Sequence, residues 1–155
     1  AKMSSTWKEA TRAEKCIDGV TDDDSNFCHS RAGDTNPWLE VDLGGPHRIA
    51  YVSLHNRNKR ERFAAQLGDY EVWLGSETEK RTTICASATV PPGRVAVLSH
   101  SCIGAARYVT VLLPGSERTL HLHELSVHDQ PTPRLPPPPP SPPSLPSPPN
   151  PPAPP

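Results

Sequence analysis

The first 129 residues predict an all-β fold, an antiparallel β-sandwich of the jelly-roll kind, on two observations. Short segments rich in β-branched and aromatic residues alternate apolar with polar positions, and Gly, Pro, Asn and Asp separate them. No helical segments alternate with these strands, which favours an antiparallel arrangement over a parallel sheet. The predicted strands are Trp38–Gly44, His47–Asn56, Tyr70–Gly75, Arg94–His100, Arg107–Pro114 and Leu120–His128.

The connections carry their own signals. Turns are predicted at residues 44–46, 91–93 and 114–115, where Gly and Pro supply unusual φ angles or remove a donor. Only Lys8–Lys15 is expected to form a helical turn or two. Glu40 and Asp42 share one face of the first strand, and a sandwich usually turns such a face to solvent.

The last predicted strand has an irregular pattern. Leu120 and Leu122 share one phase of the alternation, whereas Leu125 and Val127 share the other. The change of phase falls at His123–Glu124, which predicts a β-bulge, a feature that redirects side chains toward functional sites.

A second region, residues 130–155, is dominated by proline: sixteen of the 21 prolines lie between Pro131 and Pro155. Proline fixes φ and lacks an amide hydrogen, so an extended polyproline II rod is expected. At about 3.1 Å per residue, 25 residues reach roughly 80 Å. The alternative is a semi-rigid spacer with no role of its own.

Composition limits the class of protein. The formal net charge is −1, which gives no reason to expect nucleic acid or an anionic membrane as a partner. No apolar run approaches the roughly 18 residues of a membrane span, and the opening AKMSSTW lacks a signal-peptide layout. We therefore expect a mature protein or a piece of a longer one. There is no N-x-[ST] sequon, so any glycans are expected to be O-linked.

Four cysteines permit three disulfide pairings, and the sequence alone does not choose among them. The pairs Cys16–Cys28 and Cys85–Cys102 are favoured because each closes a short loop. Disulfides imply an oxidising, extracellular compartment, and four free thiols in a cytosolic protein are the alternative.

Motifs spread over residues 1–128 resemble one known family. In order they are AKMSSTW, CIDG, FCHS, NPWLEVDLG, the dipeptide NR, RYVTVLLPG and LHLHEL. Together they resemble a discoidin-type (coagulation factor 5/8 C-terminal) domain, and within it the fucose-binding lectin branch. The resemblance implies an eight-stranded jelly roll. It also implies the Cys85–Cys102 bridge, and His123 stands where relatives carry a cysteine bonded to the first loop.

The resemblance implies a sugar site of one histidine and two basic residues, with the pattern R-x-D-x4-[RK]. Arg57 matches the first arginine, but Lys59 stands at the aspartate position, and Arg60 or Arg62 would have to supply the second basic group. His29 lies one place before the family histidine. The alternatives for this segment are a solvated basic loop or a patch that docks an acidic or glycosylated partner.

The resemblance also implies a structural calcium ion. Asp18 and Glu124 match the two acidic ligands, and the backbone carbonyls of Lys15 and Val20 match loop ligands. Such an oxygen-rich set suits a hard cation. The alternative is that Asp18 caps a turn and Glu124 lies at the surface.

The tail resembles the hydroxyproline-rich glycoproteins of green-algal and plant cell walls, in which hydroxylated prolines and serines carry sugars. The positions expected to be modified are Ser141, Ser144, Ser147, Pro136, Pro137, Pro138, Pro139, Pro140, Pro142 and Pro143.

No nucleophile–base signature, metalloprotease motif or phosphate-binding loop occurs, so an enzyme is not predicted. His121 and His123 have no third ligand at a fixed spacing, which favours core or surface roles over zinc.

The first functional hypothesis is a non-catalytic extracellular structural glycoprotein of a cell wall, matrix or flagellar surface. Its lectin-like head would dock glycans or the proline-rich rods of neighbouring subunits. The second is a soluble fucose-type lectin with the tail as spacer. A third is an accessory domain of a wall-modifying enzyme.

Overall fold

The computed structural model describes residues 1–129, and the predicted rod at residues 130–155 lies outside them. The described part contains seven strands: β1 (Lys2–Met3), β2 (Cys28–His29), β3 (Trp38–Asn56), β4 (Asp69–Gly75), β5 (Thr83–Thr89), β6 (Val97–Leu112) and β7 (His121–Asp129). Two 3₁₀ helices (Glu9–Thr11 and Ala13–Cys16) precede β2, and one α-helix, α1 (Glu61–Gln66), follows β3. None of the helices among residues 1–129 has the length and apolarity to cross a membrane.

All strand pairs are antiparallel, in the order β2-β7-β3-β6-β4-β5, with β1 beside β3. The long strands β3 and β6 contribute to both layers of the sandwich. Residues 38–42 of β3 pair with residues 108–112 of β6, next to β4, whereas residues 47–55 pair with residues 97–106 of β6. The register of the β3–β6 pair shifts between Asp42 and His47. Gly44, within this segment, has a φ of +82°, a conformation that is energetically unfavourable for residues with a side chain.

The core lies between the layers because alternate residues of each strand point inward. Each central strand contributes fully or almost fully buried apolar side chains. They include Leu39, Val41, Val52, Leu54, Val72, Val109, Val111, Leu122 and Leu125. Burial of such a continuous apolar surface is the main stabilising contribution to the head.

Several predicted elements differ in extent. Seven strands stand where the resemblance implies eight, and β6 joins two predicted strands through the weakly strand-forming residues 104–106. Pairing with β3 holds these residues in the ladder, which overrides their propensity. Lys8–Lys15 forms 3₁₀ turns as expected, but α1 at Glu61–Gln66 was not predicted.

The bulge in the last strand is confirmed. His55 of β3 pairs with Glu124, and the next residue, Asn56, pairs with Leu122, so His123 is an extra residue on β7. Consequently Leu122, His123, Glu124 and Leu125 are all buried, which an unbroken strand with one solvent-facing side would not allow.

The structure forms the two favoured disulfides. Cys16 pairs with Cys28 at a Cα–Cα distance of 5.4 Å, and Cys85 pairs with Cys102 at 5.1 Å. Both separations lie in the range that a disulfide requires. The first bridge ties the second 3₁₀ helix to β2, and the second ties β5 to β6.

The expectation for Glu40 was wrong. Its side chain is only 3% exposed, because the segment after β4 covers it and donates to it. Asp42 remains exposed and pairs with Arg107.

Candidate functional site

The candidate site is built around Arg57, the residue that follows β3. Its guanidinium carbon lies 4.0 Å from the centre of the Phe27 ring and 4.3 Å from that of Phe63. Its Nε donates to Asp24 Oδ1 at 3.0 Å, and only 14% of the Arg57 side chain is exposed. Rings and carboxylate together hold the cation more rigidly than an exposed ion pair would.

The helix α1 supplies part of this arrangement. The chain turns after Arg57, and α1 presents Phe63 to the guanidinium. The guanidinium carbons of Arg60 and Arg62 lie 5.9 Å and 4.9 Å from the centre of the same ring, although both side chains are exposed. The three arginines of the predicted sugar site therefore converge on Phe63.

His29, the fourth predicted residue, lies on β2 beside this cluster. Its ring centre is 5.1 Å from Trp7 and 5.5 Å from His121. Its Nδ1 donates to the carbonyl of Ser30 at 2.5 Å, so in the neutral ring Nε2 is the acceptor. Burial lowers the pKa of His29, and the charge of Arg57 lowers it further.

His121 stacks against the inner side of the site. It is fully buried, and its Nε2 donates to Gln66 Oε1 at 2.8 Å. Burial lowers its pKa to about 3, with further contributions from His29 and Arg57. His121 therefore packs here as a neutral ring. Within residues 1–129 no group of three or more His, Cys, Asp or Glu side chains is arranged to hold a metal.

This cluster combines a fixed guanidinium fork, a neutral imidazole acceptor and aromatic rings, of which Trp7 is 53% exposed. Guanidinium N–H groups suit adjacent hydroxyls, and an aromatic surface suits an apolar face. An open depression of about 640 Å³ adjoins Asp24 and Lys59, and Arg57 and His29 are not among its lining residues. Its lining residues are Asp22, Asp23, Asp24, Ser25, Asn58, Lys59, Arg94 and His123.

Sequence patterns missed several of these contributors. Phe63 and His121 reach Arg57 and His29 only through the fold, and Asp24 lies 33 residues from Arg57 in the chain. The one available signal for Phe27 was its place beside Cys28, in a motif that marks the first loop.

The predicted calcium ligands also come together. Glu124, in the bulge, accepts the backbone N–H of Gly19 at 3.1 Å, so it lies beside the loop that carries Asp18. Asp18 accepts the N–H of Val20 at 3.2 Å, and Lys15 Nζ lies 3.7 Å from its Oδ2. The side chain of Asn26 donates to both Asp18 oxygens at 3.0 Å.

The two carboxylates differ in their electrostatics. Burial raises the pKa of Glu124, and the negative charge of Asp18 contributes in the same direction. Burial of Asp18 acts against its charged form, but hydrogen bonds from Asn26 and Val20 and the charge of Lys15 hold its pKa below the usual value. The partners of the two carboxylates in residues 1–129 are thus N–H groups and the Lys15 ammonium, and the carboxylates lie close enough for Asp18 to raise the pKa of Glu124.

The tail positions expected to be hydroxylated or glycosylated, Pro136–Pro143 and Ser141, Ser144 and Ser147, lie outside the described residues.

Comparison with known proteins identifies the head. Residues 15–111 match the F5/F8 type C family described as NedA-like, galactose-binding domain. The fucolectin of Anguilla anguilla is 32% identical over 131 residues, which cover 78% of this chain and 79% of the fucolectin.

Two solved structures share the fold over 83% of this chain. The lectin domain of lectinolysin complexed with Lewis B antigen has a TM-score of 0.73 and 28% identity over 91% of its length. A fucose-binding module of Streptococcus pneumoniae has a TM-score of 0.69 and 25% identity over 89% of its length. Together with the antiparallel sandwich, these matches show that the chain belongs to the F5/F8 type C family, as a galactose-binding-like domain.

Proposed function

We propose that the head is a non-catalytic carbohydrate-binding module that holds a fucose-type sugar of a glycan at the Arg57 site. The observation that carries this proposal is the Arg57 guanidinium, fixed between Phe27 and Phe63 and held by Asp24 beside His29.

The chemistry of a neutral sugar matches these groups. Adjacent hydroxyls accept from the guanidinium and donate to the Nε2 of neutral His29. The apolar face of the sugar packs on an exposed ring, for which Trp7 is suited. Arg60 and Arg62 are the candidates for the second basic contact, since both lie close to Phe63.

The relatives support this assignment. One is a fucolectin, one is a lectin domain complexed with Lewis B antigen, and one is a fucose-binding module. The sequence departs from the expected sugar pattern at Lys59, which stands at the aspartate position.

The test is a calorimetric titration of the full chain with L-fucose. We expect saturable binding that Arg57→Ala abolishes. Arg107→Ala is the matched control, because Arg107 also pairs with an aspartate and lies near an aromatic ring, on a different part of the sheet. Absence of binding at millimolar fucose would reject the proposal.

The proline-rich tail favours a wider role as a second candidate. In this second role the chain is an extracellular structural glycoprotein of a cell wall, matrix or flagellar surface. Its head binds glycans or the glycosylated rods of neighbouring subunits. The observations in support are the two disulfides and the sixteen prolines with serines at positions 141, 144 and 147.

Intact-mass and glycopeptide measurements on the native protein test this role. Hydroxylation adds about 16 mass units per proline, and arabinose adds further pentose increments, as expected for covalent modification of this kind. An unmodified tail on a protein that is monomeric and free of any assembly would contradict it.

The proposal includes a structural calcium ion. The side chains of Asp18 and Glu124, with the carbonyls of Lys15 and Val20, would hold it, and it would neutralise the two facing carboxylates. Its expected role is to fix the first loop against the β7 bulge.

A further inference from the structure

Asp24 makes two contacts that no sequence motif indicates. Its Oδ1 accepts from Arg57 Nε at 3.0 Å, and its Oδ2 lies 3.4 Å from Lys59 Nζ. The Asp24 side chain is 23% exposed, far less than that of Lys59 at 66%. The carboxylate therefore lies between two cations and is largely shielded from solvent on the side of Arg57.

The rings and the carboxylate constrain Arg57 in different ways. Phe27 and Phe63 hold the guanidinium carbon within 4.3 Å of their ring centres, but ring contact alone does not fix the direction in which the N–H groups point. A hydrogen bond at Nε removes this freedom. It also leaves the terminal nitrogens free of hydrogen-bond acceptors among residues 1–129, since Asp24 binds Arg57 through Nε.

The pattern R-x-D places an acidic residue two positions after the arginine, where this chain has Lys59. A lysine there cannot accept from Arg57, and its own charge repels the guanidinium. Asp24 supplies a carboxylate from a different segment, the loop before β2, and pairs with Lys59 as well.

We propose that Asp24 is the positioning residue for Arg57 in the sugar site. It takes the role of the acidic residue of the R-x-D pattern, whose position Lys59 occupies. The inference rests on the proposed sugar-binding function of Arg57. If Asp24 has this role, the site depends on the loop of residues 22–26. The side chain of Asn26 binds this loop to Asp18, and the Cys16–Cys28 disulfide closes it.

The test compares three full-length variants with the native sequence. Asp24→Asn removes the charge that holds Arg57. Asp23→Asn is the matched control, because Asp23 is an exposed neighbour in the same loop and its side chain accepts only from Ser25 among the hydrogen bonds of residues 1–129. The double variant Asp24→Asn/Lys59→Asp restores an acidic residue at the motif position.

Two measurements separate positioning from sugar binding. The ¹⁵N-edited NMR signal of Arg57 Nε–H, taken without sugar, reports whether this proton is held in a hydrogen bond. The fucose dissociation constant, from calorimetry, reports the site. We expect Asp24→Asn to weaken fucose binding roughly ten- to a hundredfold, the range for loss of a charge-assisted hydrogen bond. It should also speed the exchange of the Nε–H proton, because an amide oxygen is a weaker acceptor than a carboxylate, and the double variant should recover both.

The inference is overturned if Asp24→Asn behaves like Asp23→Asn in the NMR measurement, or if the double variant does not recover the Arg57 signal. If the native protein binds no fucose, the proposed function fails, and the NMR signal still decides whether Asp24 positions Arg57. Thermal unfolding of each variant identifies any change that follows from lost stability.

Discussion

The carboxylate of Glu124 accepts the backbone N–H of Gly19 at 3.1 Å, across 105 positions of the chain. This contact joins the bulge in β7 to the loop that follows the second 3₁₀ helix. Gly19 adopts a φ of +82°, so the loop turns there in a conformation that disfavours other residues. The bulge and the glycine together bring Glu124 next to Asp18.

We predict that Ca²⁺ stabilises the head and that Glu124→Gln removes this effect. At a calcium concentration about 100 times the dissociation constant, binding to the folded state alone adds about 2.7 kcal/mol to the free energy of unfolding. Thermal unfolding in millimolar Ca²⁺ and in excess EDTA measures it, with Mg²⁺ as the comparison ion.

A second consequence concerns the metal-free protein. Burial and the charge of Asp18 raise the pKa of Glu124 in the folded state above its value in the unfolded chain. The protonated carboxyl therefore contributes to stability below the unfolded-state pKa, and this contribution is lost as pH rises through the folded-state pKa. In EDTA at neutral pH, Glu124→Gln should therefore be at least as stable as the native protein. A native protein that is unaffected by Ca²⁺ and equally stable in EDTA would contradict the calcium proposal.

The strands and the bulge were predictable because they follow from local alternation. The phase change between Leu122 and Leu125 marks the extra residue in β7, and the structure confirms it. Cys16–Cys28 was favoured for the same local reason, a short loop. The arrangement around Arg57 was not predictable from local pattern, because Phe63 lies on a helix of only six residues and Asp24 reaches Arg57 from another loop. Short helices depend on tertiary contacts more than on propensity.

A second prediction concerns His121 and acid. The folded-state pKa of His121 is lowered to about 3, chiefly by burial, whereas the unfolded residue takes up a proton near its ordinary value. A base with a depressed pKa lowers stability as pH falls from about 6.5 toward 3. From this residue alone we expect the free energy of unfolding to fall by about 2 kcal/mol between pH 7 and pH 5.

Urea unfolding at pH 7 and pH 5 measures this difference. His121→Leu should lose about 2 kcal/mol less over the same interval. Leu120→Ala, at the neighbouring buried position, is the control, because it lowers stability without removing a titrating group. Equal pH dependence in the native protein and His121→Leu would show that His121 is not held neutral.

A third prediction separates the two disulfides. Replacing either pair with alanine removes a bridge that closes a loop of similar length, 12 or 17 residues in separation. Each loss should cost about 3 kcal/mol in the free energy of unfolding by the loop-entropy relation. Only loss of Cys16–Cys28 should also weaken fucose binding, because that loop carries Asp24 and ends at β2 with His29.

Urea unfolding and fucose titration of the two double variants provide the comparison, and each variant serves as the control for the other. Equal weakening of fucose binding in both would assign the effect to general stability and not to the first loop.

The last prediction concerns Glu40, a buried residue of β3 whose carboxylate is covered by the segment after β4. It accepts from the Thr78 hydroxyl and the Glu79 backbone N–H, each at 2.8 Å, and from the Thr110 hydroxyl at 3.4 Å. Glu40→Ala removes the acceptor of three donors, of which the Thr110 hydroxyl is buried and those of Thr78 and Glu79 belong to exposed residues. We expect it to lower the free energy of unfolding by about 1–3 kcal/mol, the cost of losing hydrogen bonds to a charged group and leaving the buried Thr110 hydroxyl without that acceptor.

Urea unfolding at neutral pH tests this expectation. Asp42→Ala is the matched control, because Asp42 shares the strand but is exposed, and its pair with Arg107 lies in solvent. Asp42→Ala should lower the free energy of unfolding clearly less than Glu40→Ala does. If the two variants lose equal stability, water replaces the carboxylate of Glu40, and the segment at Thr78 and Glu79 is held by its own turn and not by Glu40.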